Sequence, residues 1–219
     1  MSLVEWHQTD TVFLDMDGTL LDLHFDNYFW LHHVPQRYAE KEGMNLADCK
    51  QLLFDKMMSL RGQLKWYSIA YWSDELGLPI LELKNEVSHL IGPRPYVHEF
   101  LATLREHNKN VVLFTNAHED TLGLKMQKVK LRPYFDEVIT SHQLGLAKEM
   151  PGAWEKLSER YHFDKTRSLF IDDSFSVLDE AKRYGIASLL GISLPDLKGK
   201  PMRHDSYALL SSYKDIMPV

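Results

Sequence analysis

Asp15 and Asp17 stand one residue apart at the end of an apolar run, in the stretch Val12-Phe13-Leu14-Asp15-Met16-Asp17-Gly18-Thr19-Leu20-Leu21-Asp22. Val12 to Leu14 predicts a buried strand, and alternate strand residues share a side, so both acids would point the same way if the strand continued. Gly18 says that it stops, because glycine permits a turn in which the backbone approaches a ligand closely. Two carboxylates at the end of a buried strand repel each other. A divalent cation relieves that repulsion, and an all-oxygen set suits Mg²⁺. The alternative for these residues alone is a strand followed by an Asp-Gly turn.

More polar clusters follow apolar runs further along. Thr115 and Asn116 follow Val111-Val112-Leu113-Phe114, Asp172 and Asp173 follow Ser168-Leu169-Phe170-Ile171, and Lys148 lies in the loop Gly145-Leu146-Ala147-Lys148-Glu149. Ligands of a parallel α/β sheet bind beyond the carboxyl ends of its strands. Such a sheet brings these residues together although they are distant in sequence.

Hydrophobic periodicity indicates which helices and strands carry these residues. Apolar helix faces are predicted over 95–107, 119–129, 152–161 and 176–184, and strands over 138–140 and 187–190 besides those above. Strands alternating with helices predict an α/β fold with a Rossmann-like parallel sheet covered on both faces. Residues 23–92 lack strand patterning. Four helices are expected there, at about 26–41 with Asp26 or Asn27 as N-cap, 46–60, 65–76 and 80–91. The expected division is therefore a core of 1–22 and 93–219 with a helical insert of 23–92. The tail after about residue 195 has turn residues and a short amphipathic piece near Tyr207 to Tyr213, with no function assigned.

Composition narrows the chemistry. With 219 residues and 44% hydrophobic content a sizeable core can form. The net charge of −6 argues against a protein that tracks nucleic-acid phosphates. It does not exclude a small phosphorylated ligand, since a metal and one lysine reverse the sign locally. Cys49 is the single cysteine and falls in an apolar helical pattern, so it is expected in the core. No apolar run approaches a membrane span or a signal peptide, and a cytoplasmic location is expected. The 11 histidines form no His-Glu-x-x-His, and no dinucleotide or P-loop glycine pattern is present.

The four clusters, in this order, resemble motifs I to IV of the haloacid dehalogenase superfamily: Asp15-Met16-Asp17-Gly18-Thr19, then Thr115-Asn116, Lys148, and Asp172-Asp173. The resemblance implies a phosphatase in which Asp15 attacks phosphorus to give an aspartyl-phosphate. Asp17 would protonate the leaving oxygen and then act as base on the hydrolytic water. Mg²⁺ would be held by Asp15, the Asp17 carbonyl and Asp172, with Asp173 orienting a metal-bound water. Thr115 would donate to the phosphoryl oxygens, Lys148 would neutralise phosphate and Asp15, and Asn116 would shape the loop beside the phosphate. The motif departs from the family pattern at Glu149, where many members have proline. A halide leaves without a proton, so the presence of Asp17 favours phosphoryl chemistry over dehalogenation.

The resemblance also implies that 23–92 is a cap of the C1 type, closing over the site. Phe25-Asp26-Asn27-Tyr28-Phe29-Trp30 and Trp66-Tyr67 resemble the purine-nucleotide (GMP/IMP) 5′-nucleotidase branch of the superfamily. Asn27 and Arg61 are then candidate donors to the purine 6-carbonyl, and Trp66 and Tyr67 candidate stacking faces, although each ring also fits the cap's own core. A phosphosugar phosphatase, a phosphomutase and a non-catalytic phospholigand-binding module remain as alternatives. The sequence gives no oligomeric state.

Overall fold

The apolar runs become a parallel sheet. A computed structural model describes residues 3–218. Its strands are β1 (Thr11–Leu14), β2 (Asn110–Thr115), β3 (Glu137–Thr140), β4 (Ser168–Ile171), β5 (Ser188–Ile192) and β6 (Ala208–Leu210). The described strands form one sheet in the order β3-β2-β1-β4-β5-β6, every neighbouring pair parallel. β1 lies between β2 and β4, with Leu14 level with Leu113 and Ile171. That register places the residues after Leu14 and Ile171 side by side.

Alternation along the strands divides the core. Val12, Leu14, Val111, Leu113, Leu169 and Ile171 pack to one side with Phe100, Leu101 and Leu104. Phe13, Val112, Phe114 and Phe170 pack to the other with Trp154, Leu157, Val177 and Leu178. The covering helices follow the periodicity: α6 (Val97–Glu106), α7 (Glu119–Val129), α9 (Ala153–Arg160) and α10 (Phe175–Tyr184), with a short α8 (Ser141–Leu144) that the sequence reading did not separate.

Between β1 and α6 lie α1 (His24–Tyr28), α2 (Val34–Glu42), α3 (Leu46–Leu60), α4 (Ile69–Leu76) and α5 (Ile80–Glu86). Their buried residues form a separate cluster that includes Phe25, Phe29, Cys49, Leu53, Trp72 and Ile80. Cys49 is fully buried there, as expected. A wide π-type turn over Phe29–His33 joins α1 to α2, so the first predicted helix is one winding run ending at Gly43.

Asp26 and Asn27 are not N-caps, contrary to expectation. The helix begins at His24, whose N–H is accepted by Asp22 Oδ1 at 3.0 Å, and Asp26 lies inside it. An ion pair described below decides the position of Asp26. The third predicted helix is a 3₁₀ turn, Leu64–Tyr67, followed by α4, with the Ser68 hydroxyl accepting from Tyr71 N–H. The tail departs most from expectation. β6 extends the sheet beyond β5, and Tyr213 inserts its ring beneath the β1 loop, donating to Thr19 O at 3.1 Å. No described helix is long and apolar enough to cross a membrane.

Candidate active site

Asp15, Thr115 and Asp172 sit where strands run out. Asp15 follows β1, its N–H held by Ile171 O at 3.0 Å. Asp172 follows β4, its N–H held by Leu190 O at 3.2 Å. Thr115 ends β2 and is buried, its hydroxyl accepting from Ala117 N–H at 3.0 Å. Lys148 arrives from the loop after α8 and is 2% exposed. Its ammonium donates to Asp15 Oδ1 and, at 2.6 Å, to Asp172 Oδ2. The backbone also shapes this end of the sheet, since Ser174 N–H donates to Asp172 Oδ1 at 2.8 Å.

Gly18 adopts φ +82°, and a Cβ there would stand 2.5 Å from Asp173 Oδ2. The glycine is therefore required twice, for a left-handed backbone and for the space that Asp173 occupies.

Asp15, Asp172 and Asp173 bring one carboxylate oxygen each within 4.8 Å of one another. Burial pushes Asp15 up to about 6, and Asp172 adds to that while Lys148 opposes it. Asp172 is raised as well, mainly by burial, and Asp173 is raised well above its ordinary range by burial and by the carboxylates of Asp172 and Asp15. Burial alone would lower Lys148, but Asp15 and Asp172 outweigh it and hold the ammonium charged. One ammonium thus faces three carboxylates, and Asp173 has no ion-pair or hydrogen-bond partner among the described residues. A surplus of negative charge on clustered hard oxygens fits a divalent cation of the Mg²⁺ kind.

Asp17 is held by a different lysine. Lys125 of α7 lies 2.6 Å from Asp17 Oδ1 and 2.7 Å from Asp26 Oδ2. Lys84 of α5 donates to the other oxygen of Asp26 at 3.0 Å. The Asp17 side chain keeps 23% exposure. Its withdrawal from water raises its pKa to about 6, opposed by Lys125 and reinforced by Asp26 and Asp15. Burial would raise Asp26 too, but Lys125 and Lys84 outweigh it and bring it to about 2. The sequence reading missed both lysines. The signal was present: Lys125 falls on the buried stripe Leu122, Lys125, Val129, and Lys84 on Ile80, Leu83, Lys84, Val87, where the helix period calls for apolar residues.

A cavity of about 890 Å³ opens over this strand-end cluster. Asp15, Asp17, Thr115, Lys148, Asp172 and Asp173 line it from the sheet side, and Asn27, Arg61, Trp66 and Tyr67 from the helical layer, beside Phe54 and Met58. The cap candidates therefore share one cavity with the strand-end residues, but their hydrogen bonding differs. Asn27 donates an amide N–H to Asp196 Oδ2 at 2.9 Å. Tyr67 donates to Glu149 Oε1 at 2.7 Å. The Arg61 side chain is exposed and has no hydrogen-bond or ion-pair partner among the described residues. Asn116 serves the loop, its Oδ1 accepting from Lys148 N–H at 2.9 Å and Ser141 Oγ at 2.6 Å while its amide donates to Glu149.

Residues 9–185 match the family described as haloacid dehalogenase-like hydrolase. The chain is 35% identical to GMP/IMP nucleotidase YrfG of Escherichia coli (strain K12), over 98% of this chain and 97% of that protein. It is 24% identical to a phosphorylated carbohydrates phosphatase of Thermotoga maritima, over 96% and 97%. Among solved structures, a HAD phosphatase from Thermococcus onnurineus superposes with a TM-score of 0.76 at 20% identity, covering 92% of this chain and 93% of that one.

Proposed function

The chain belongs to the haloacid dehalogenase-like hydrolase family, and on that premise we propose that it is a Mg²⁺-dependent phosphatase of purine nucleoside 5′-monophosphates, GMP and IMP before AMP. The observation that carries the phosphatase chemistry is the cluster of Asp15, Asp172 and Asp173 around Lys148 at the strand ends. In this reading an Asp15 oxygen attacks phosphorus and the ester P–O bond breaks. The departing oxygen takes a proton from Asp17. Asp17 then removes a proton from the water that attacks the aspartyl-phosphate, releasing inorganic phosphate and regenerating Asp15. Lys148 holds Asp15 in line and offsets the charge of the phosphoryl group, and the Thr115 hydroxyl donates to it. Asp15, Asp172 and the Asp17 carbonyl, with Asp173 alongside, would hold Mg²⁺, which would supply charge neutralisation for the phosphoryl group.

The proposed division is a core of 1–22 and 93–219 and a cap of 23–92. The core residues touch only phosphate and metal, so selectivity rests with the cap. The nucleotide reading is supported by identity to the Escherichia coli nucleotidase along nearly the whole chain and by the room and aromatic lining of the cavity. GMP and IMP carry a carbonyl at the purine 6-position where AMP has an amino group. Of the two candidate donors, Arg61 is the better fit, since its side chain has no partner among the described residues while Asn27 is engaged with Asp196. Similarity to a phosphorylated carbohydrates phosphatase favours a phosphosugar as the second reading.

A Mg²⁺-supplemented panel of phosphate esters, run on the wild type and Asp15→Asn, separates these readings. Turnover of GMP and IMP above all phosphosugars, lost in Asp15→Asn, is expected. A phosphosugar preferred tenfold over every nucleotide overturns the substrate. Activity persisting in Asp15→Asn overturns the mechanism.

A further inference from the structure

Each of the two catalytic aspartates has its own lysine. Lys148 serves Asp15, and the loop that carries it lies close to the site in space. Lys125 comes from the second turn of α7 and is 1% exposed. Burying an ammonium is costly unless it is paired, and Lys125 is paired on two sides. One side is Asp17 Oδ1 at 2.6 Å, in the core, and the other is Asp26 Oδ2 at 2.7 Å, in the helical layer. Its Nζ also sits 5.4 Å from the centre of the Phe25 ring. Asp26 is fixed in turn by Lys84, 3.0 Å away.

We propose that Lys125 is a positioning residue that orients the Asp17 carboxylate for proton transfer and ties that orientation to the seat of the cap through Asp26. The inference rests on Asp17 being the acid and base of the reaction. A carboxylate in a loop turns about its own torsions, and proton transfer needs one oxygen aimed at the leaving group. Lys125 lies 2.6 Å from Oδ1 as an ion pair outside hydrogen-bond alignment, which draws that buried oxygen toward the ammonium and leaves Oδ2 to carry the proton. Asp26 shares the same ammonium, so a cap lifted from its seat withdraws one of the two anchors that hold Lys125 in place. Asp17 is then aligned for transfer only while the cap lies on the core, and a hydrolytic water is not activated in an open site.

The test uses the full chain with saturating Mg²⁺ and two substrates, an alkyl phosphate and p-nitrophenyl phosphate, whose leaving group needs little protonation. Asp17→Asn is the reference for a lost acid. Lys125→Met is expected to lower kcat/KM, which reports phosphoryl transfer to Asp15, about 10–100-fold for the alkyl ester, a part of the roughly 10²–10⁴-fold that general acid–base catalysis supplies. For the aryl ester kcat/KM should fall only a few-fold, while kcat falls for both esters because they share the Asp17-assisted hydrolysis of the aspartyl-phosphate. Lys125→Arg should restore most of the alkyl-ester rate. The charge-reduced pair Lys125→Met with Asp26→Asn gives the same reading if the single variant does not fold, as monitored by circular dichroism. Equal losses of kcat/KM for both esters, or a kcat unchanged for both, in a folded variant overturn the role of Lys125 when Asp17→Asn itself discriminates between the esters in kcat/KM. If Asp17→Asn does not discriminate, the acid is assigned wrongly and the inference falls with it.

Discussion

Tyr67 reaches down from the helical layer and donates its hydroxyl to Glu149 at 2.7 Å. Glu149 directly follows Lys148, and its other oxygen accepts from the Asn116 amide at 2.9 Å. One carboxylate therefore joins the cap, the end of β2 and the loop that delivers the lysine. This gives a physical reason for a glutamate where many family members have proline, which could neither accept these bonds nor reach Tyr67.

Removing that carboxylate strands two donors. Glu149→Ala leaves Tyr67 Oη and Asn116 Nδ2 without their acceptor. A buried unpaired group costs about 1–3 kcal/mol; Asn116 is buried and Tyr67 half-buried, so about 2 kcal/mol is expected. For a chain of this size that lowers Tm by about 4–8 °C. Tyr67→Phe removes one of the same bonds, so the double variant should lose less than the sum of the singles. Calorimetry on all three decides it, and strict additivity would mean that the two side chains are not coupled.

The legible parts of this fold were those set by local pattern. Val111 to Phe114 and Leu169 to Ile171 are apolar at every position because strands buried on both faces are, and the polar residues that follow them, Thr115-Asn116 and Asp172-Asp173, mark the strand ends. β6 was not legible. Three residues with Ala208 exposed carry no pattern of their own, and the strand exists because the edge of β5 offers it hydrogen bonds. Asp26 was misread because a helix-start acid and a buried ion-pair acid look alike in sequence. Its partner Lys125 lies 99 residues away, and only the fold brings them together. Of the site, the strand-end residues were found, whereas Lys125, Lys84 and the link through Glu149 came from tertiary contacts between elements with no sequence relation.

Gly18 gives a prediction about geometry alone. A methyl group at this position meets Asp173 Oδ2 at 2.5 Å and Pro195 Cβ at 3.2 Å, on a backbone at φ +82°. Gly18→Ala should cost about 1–2 kcal/mol for the left-handed backbone and push the Asp173 carboxylate aside. Displacing a group that orients the surroundings of a metal commonly costs about 10–100-fold in affinity or activity. Titrating activity with Mg²⁺ should show a half-saturating concentration raised by that order. An unchanged Mg²⁺ dependence would remove Asp173 from the site as described.

Mg²⁺ should stabilise the chain as well as activate it. The three carboxylates of Asp15, Asp172 and Asp173 repel one another and share one ammonium, and a cation that binds only the folded state relieves this. At a concentration 100 times its Kd, binding adds about 2.7 kcal/mol, which corresponds to a Tm rise of about 5–10 °C. Asp172→Asn should abolish most of that rise, and chelator should abolish turnover of the wild type. Equal Mg²⁺ shifts in the variant and wild type would place the ion elsewhere.

The cap offers the sharpest discrimination between its candidate residues. Arg61 and Asn27 both line the cavity, but the two side chains start from different states. Asn27 already donates to Asp196 in the loop after β5, so its substitution loosens the seat of α1. Arg61 is exposed at the end of α3, its guanidinium without a hydrogen-bond or ion-pair partner among the described residues. A free cationic donor facing a purine 6-carbonyl is left unpaired by AMP, and hydrogen bonds to charged groups contribute about 1.5–3 kcal/mol. Arg61→Met should therefore raise KM for GMP and IMP by about 10–100-fold, reduce the preference over AMP by the same factor, and leave p-nitrophenyl phosphate nearly unaffected. Asn27→Ala should instead lower rates for every ester alike, because its bond seats the cap and does not read the base. Trp66→Ala, which removes a ring lining the same cavity, should weaken all purine nucleotides together and leave the ratio of GMP to AMP unchanged. Steady-state kinetics of the three variants on GMP, AMP and p-nitrophenyl phosphate gives three distinct patterns. A GMP to AMP ratio that survives Arg61→Met and collapses in Asn27→Ala would reverse the assignment of the donor.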